Sequence, residues 1–130
     1  MRVLGALAPG RIGLKHKHRQ AVCEVIVAEQ MQRMMQSDFA ILEFEDMRLQ
    51  LSNAKDNKTF ESILDRMELI LREEIDRTEL SLLATTRDSR LGFQFEQDYV
   101  YTPYSLKEKL GILKETLDIQ FPQARKKLIY

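Results

Sequence analysis

The chain has 130 residues, a formal net charge of zero and one cysteine, and 31% of it is charged. That length holds one domain with its own core, without disulfides or a multi-cysteine zinc site. Balanced charge excludes a global pull toward nucleic acid or anionic lipid, and no run approaches the roughly 18 apolar residues of a membrane span.

Residues 1–17 hold three of the five glycines and one of the three prolines, which predicts an irregular, basic lead. Its opening "MRVLGALAPG" has an apolar run of only about six residues before Pro9, short of a signal peptide. A cytoplasmic chain is therefore expected. The lead ends in "KHKH", Lys15 to His18. On a helix His16 and His18 lie roughly 200° apart, so joint metal ligation is disfavoured and a solvated basic segment is expected.

Residues 18–52 contain neither Gly nor Pro and predict a long first helix. Val25, Ala28, Met31, Met35, Phe39, Leu42 and Leu49 recur at three- and four-residue steps and mark its main face. Val22, Ile26, Val27, Ile41 and Phe44 fall off that face. A helix apolar on more than one side contacts more than one partner helix, within the chain or from another. Cys23, in "AVCEVIV", reads as a buried, inert thiol. The methionines, including Met34, Met47 and Met67, read as adaptable core filling.

"SNAKDN", Ser52 to Asn57, is a turn-prone connector. A second helix follows over 58–86, with Phe60, Ile63, Leu64, Met67, Ile70, Leu71, Ile75 and Leu82 as its buried stripe. Glu68 with Arg72 and Glu73 with Arg77 have the favourable i,i+4 order. A short connector between long helices implies an antiparallel hairpin. The third helix, 103–120, starts either with Thr102 as cap and Pro103 first, or with Ser105 as cap and Glu108 closing a capping box. Leu106, Leu110, Leu113 and Leu117 form its seam. Phe121-Pro122 should end it, followed by a basic tail over 122–130 with room for one more helical turn.

The chain contains no phosphate-binding glycine loop, zinc-protease motif or nucleophile elbow. The acids of "EFED" (Glu43, Glu45, Asp46) and "EEID" (Glu73, Glu74, Asp76) raise a di-metal bundle, but such sites need Glu-x-x-His pairs. No glutamate here has a histidine three residues on. Those acids read as a solvated face, and neither a metal, a cofactor nor a catalytic residue is expected.

The segment between the second and third helices differs. In "RDSRLGFQFEQDYVYTP", Phe93, Phe95, Tyr99 and Tyr101 take odd positions, while Gln94, Glu96 and Asp98 take even ones. Period two gives an extended strip with an aromatic and a polar side. One reading has the rings seal an end of the bundle while Arg87, Asp88 and Arg90 tie the loop down. The other is a ligand surface of Arg87, Asp88, Arg90, Phe93, Phe95, Tyr99 and Tyr101, with flat apolar rings and directional polar groups of the kind sugars suit.

The run Asp88-Ser89-Arg90-Leu91-Gly92-Phe93, then Tyr99, Tyr101, Pro103, Glu108 and Lys109, resembles the C-terminal helical region of large bacterial glycoside-hydrolase-like proteins of the α-glucuronidase or hexosaminidase style. The likeness covers roughly residues 20–118. Gln94 departs from it, since a Glu often follows the aromatic there. The resemblance implies that catalysis belongs to an upstream barrel domain and assigns no catalytic residue to this chain.

Together these readings predict an all-α domain: a long antiparallel helix pair, an irregular aromatic loop and a shorter third helix. The function expected is that of a non-catalytic accessory module of a carbohydrate-active bacterial protein, contacting glycan or an upstream catalytic domain through residues 87–101. The alternative is a structural protein that forms a homo-oligomer through its first helix.

Overall fold

The computed structural model describes the backbone of residues 2–88 and 102–127 and the side chains of 15–88 and 102–127. The architecture is all-α. Helix α1 spans Arg2–Asn53, α2 Asn57–Arg87 and α3 Pro103–Glu115; a π-helical turn, Thr116–Gln120, then leads into α4, Phe121–Lys126. α2 is the central element, with α1 against one flank and α3 against another.

α1 begins at Arg2 rather than near residue 18, so the predicted irregular lead is helical. Extending a helix that already exists needs no new nucleus, and each added residue gains a hydrogen bond. Leu4, Ala6, Leu7 and Ala8 are strong helix formers, set against Pro9, which loses a backbone bond and crowds the carbonyl four residues back.

The α1–α2 hairpin turns over Ala54, Lys55 and Asp56. Asp56 is in extended conformation and its side chain accepts from the Thr59 N–H at 3.1 Å, which caps α2. At the start of α3, Thr102 is the cap and Pro103 the first helical residue. The Ser105 N–H donates to Thr102 Oγ1 at 3.1 Å, and Ser105 Oγ receives the Thr102 N–H at 3.0 Å. Ser105 therefore closes the box from the third helical position, and Glu108 takes no part in it.

Pro122 does not end the third helix. It cannot donate to a carbonyl one turn back, and its ring would collide there. The π-helical turn just before it widens the ladder, with the Phe121 N–H donating to Thr116 O, five residues back. The chain passes the proline and continues as α4, which buries Phe121.

The large apolar core lies near the hairpin turn. Ile63, Leu64, Met67, Leu71 and Phe121 are buried together, with Phe44, Met47, Phe60, Leu113 and Leu117 packed around them. The α2 stripe is as the periodicity predicts, with Ile70 and Ile75 buried as well. Toward the other end the filling turns small and polar. Gln30, Ser37, Glu74, Thr78, Ser81 and Thr85 are all buried there. Thr78 and Thr85 keep their hydroxyls satisfied by donating to the carbonyls of Glu74 and Ser81, four residues back in their own helix.

Candidate functional site

Of the seven residues singled out in the aromatic segment, two can be placed. Arg87 is exposed at the last position of α2, and Asp88 is its C-cap, with a backbone N–H donating to Ala84 O at 2.9 Å. Both border a shallow depression with Cys23, Ile26 and Leu83. Arg90, Phe93, Phe95, Tyr99 and Tyr101 lie outside the described residues. Cys23 itself is exposed rather than buried.

The most informative surface is on α1, and it reverses the expected orientation of that helix. Its seam toward α2 is Ile26, Gln30, Ser37, Ala40, Phe44 and Met47, all buried or half-buried. These recur at steps of four, seven and three, a coiled-coil spacing. The face that the apolar periodicity marks is the other one. Val25, Met31, Met35, Phe39, Leu42 and Leu49 are between 56% and 71% exposed. At 3.6 residues per turn the last five fall within about 80° of one another, roughly opposite the seam. Met31 and Met35 are thus not core filling, whereas Met67 is buried at 4% exposure.

The physical cause is the make-up of the seam. Its middle carries a glutamine, a serine and an alanine, all buried against the bundle. Apolar counting alone misses such a seam. The larger apolar side chains of α1 consequently point away from their own bundle.

A second feature concerns Glu74, predicted to be solvated and found buried at 6% exposure. Ser37 Oγ of α1 donates to its Oε1 at 2.7 Å, and Lys109 Nζ of α3 reaches the same oxygen at 2.5 Å. Arg77 donates to Oε2 through Nε at 3.0 Å and Nη2 at 2.8 Å. Arg77 therefore pairs three residues back rather than with Glu73 as expected; Arg72 does pair with Glu68, at 2.9 Å. Burial alone would raise the Glu74 carboxyl, but the bonds from Lys109, Ser37 and Arg77 together hold it below its ordinary range. An anion fixed by two cations and a hydroxyl has no proton to give and no free lone pair aimed at a ligand. The cluster ties three helices in one register rather than forming a reactive centre.

Beside it a groove of about 270 Å³ opens over α2, lined by Ile41, Phe44, Ile70, Leu71, Glu74 and Leu113. It falls just below the size of ordinary small-molecule pockets, and the Glu74 oxygens facing it are already bonded.

The signal for Glu74 was present in the sequence. Leu64, Met67, Leu71, Glu74, Thr78, Ser81 and Thr85 alternate steps of three and four, so Glu74 sits on the buried stripe. His16 and His18 are exposed. No described helix is long and apolar enough to cross a membrane. Comparison with protein-family models, with curated proteins and with solved structures finds no match to this chain.

Proposed function

We propose that this chain is a non-catalytic helical interaction module whose contact element is the outer face of α1. One observation carries the reading: Met31, Met35, Phe39, Leu42 and Leu49 form an exposed apolar stripe, interrupted by Asp46, on the side of α1 turned away from α2. Single exposed apolar residues need no explanation, but a stripe five side chains long at helical spacing marks a contact surface. Methionines suit such a surface, because their unbranched, polarisable side chains adapt to a partner's contours.

The resemblance of Asp88–Phe93 to the C-terminal region of carbohydrate-active bacterial proteins supports a narrower proposal, in which the module serves such a protein. That proposal rests on the motif, and its aromatic contact residues belong to the segment between α2 and α3. The α1 reading rests on exposure and stands separately from it.

The test is the double variant Phe39→Glu, Leu42→Glu, studied as dilute full-length chain. If the stripe is a contact surface, the variant keeps its helical content and its urea midpoint. If it unfolds, the stripe belongs to the fold and the reading fails.

A further inference from the structure

Two features of α1 have no partner among the described residues. The first is the apolar stripe. The second is the head of the helix: α1 has 52 residues and α2 has 31. Cys23 and Ile26 lie beside Ala84 and Arg87, so the residues before Cys23 extend past the end of α2. Their described side chains, from Lys15 onward, are all exposed. A helical overhang on which no described residue packs is marginal in water by itself.

Charge is distributed unevenly along the same helix. Its head carries Lys15, Lys17 and Arg19, while Glu43, Glu45 and Asp46 lie near its other end. Between Val22 and Leu49 the acids are Glu24, Glu29, Asp38, Glu43, Glu45 and Asp46, against Arg33 and Arg48 alone. Arg33 is engaged with Gln30 and Arg48 with Glu45. Lys17 and Asp46 both fall on the angular position of the apolar stripe, roughly 20° apart at 3.6 residues per turn.

We propose that the outer face of α1 is covered by α1 of a second copy, packed antiparallel, with Lys17 of each copy opposite Asp46 of the other. This deepens the reading of α1 as the contact helix and rests on it. One arrangement accounts for both features. The basic overhang of each copy lies along the acidic, apolar far end of its partner, and the two-fold axis falls beside Met31. Ala28 then meets Met35 across the axis. A parallel pairing would set basic head on basic head and acidic end on acidic end. In the antiparallel pairing Glu24 does approach Asp38 of the other copy, so added salt weakens one contact and relieves another. Charge reversal is therefore a cleaner probe than ionic strength.

The chain's one cysteine supplies the measurement. Cys23 is exposed and lies off the stripe, so a spin label there reports on pairing without blocking it. In the proposed register the two Cys23 positions are about 17 residues apart along the pair, which gives an inter-copy distance of roughly 25–30 Å. The proposal also expects Lys17→Glu and Asp46→Lys each to weaken association about three- to tenfold, and the double reversal to restore it.

Parallel pairing, which would bring the labels within about 15 Å, overturns the proposal. So does a register centred on Ser37, at roughly 42 Å, or failure of the double reversal to rescue. A strictly monomeric chain also overturns it. In that case the Phe39→Glu, Leu42→Glu variant decides the underlying reading separately: a stable variant keeps α1 as a contact helix for a different partner, and an unfolded one removes that reading too.

Discussion

Ser37 of α1 donates through Oγ to Oε1 of Glu74 on α2 at 2.7 Å, where the buried apolar residues Ile70, Leu71 and Ile75 give way to the buried polar residues Thr78, Ser81 and Thr85. This contact, with Lys109 of α3 on the same oxygen, links three helices at one level. Removing the carboxylate strands Lys109 and Arg77 beside buried surface. Glu74→Ala is expected to cost about 2–4 kcal/mol, less than a fully buried ion pair because Lys109 is 32% exposed. Glu74→Gln, which keeps the shape and some of the hydrogen bonds, should cost less than half of that. Urea unfolding of the three proteins checks the order.

Acid should act through the same residue. Glu74 and Glu68 are both held below their ordinary value of 4.5, the first by Lys109, Ser37 and Arg77 against its burial, the second by Arg72 and Arg125. The unfolded chain therefore takes up protons on these carboxyls before the folded chain does. Their contribution is complete above about pH 4.5 and is lost as pH falls through the lower native values. The urea midpoint should be flat from pH 7 to 5 and fall below that, with a shallower fall in Glu74→Gln. A midpoint that rose on acidification would contradict this assignment.

Two methionines on opposite kinds of surface make a direct comparison. Met67→Ala removes a buried side chain from the core cluster and should cost about 2–5 kcal/mol. Met35→Ala, on the outer face of α1, should change the stability of the dilute chain by no more than about 0.5 kcal/mol. Equal losses would mean that the outer stripe is packed.

Thr102 closes the start of α3 through a reciprocal pair with Ser105. Replacing it with Ala removes the acceptor for the Ser105 N–H and should cost about 1 kcal/mol. Hydrogen exchange localised to the first turn of α3 would register the loss at that site.

What was legible in the sequence follows one rule: the reading succeeds where apolar residues face the core and fails where polar ones do. On α2 the buried stripe from Phe60 to Ile75 is apolar except for Glu74, and its periodicity identifies the buried face there; Thr78, Ser81 and Thr85 continue that face as polar residues. On α1 the same procedure selected Met31, Phe39 and Leu42 as the main face, because the seam itself holds Gln30, Ser37 and Ala40. Hydrophobic periodicity reports that a face is apolar, not which neighbour it meets, and α1 carries two such faces. The excess of apolar residues off a single stripe does indicate a second apolar face on this helix, and α1 has one. By residue type the acids of "EEID" read as a solvated face, whereas heptad position puts Glu74 on the buried one. Pro122 reads as a stop, since its local chemistry forbids an α-turn there; the structure accommodates it with a π-helical turn and buries Phe121 beside it. Of the aromatic segment, only Arg87 and Asp88 fall within the described residues.

The most direct measurement is sedimentation of the full chain over a concentration series, with Phe39→Glu, Leu42→Glu alongside. The account predicts a wild-type species of 15.3 kDa at low concentration that converts to twice that mass as concentration rises, while the variant stays at the lower mass with unchanged helicity. A wild-type chain that remains at 15.3 kDa throughout, or a variant that associates as readily as the wild type, would contradict it.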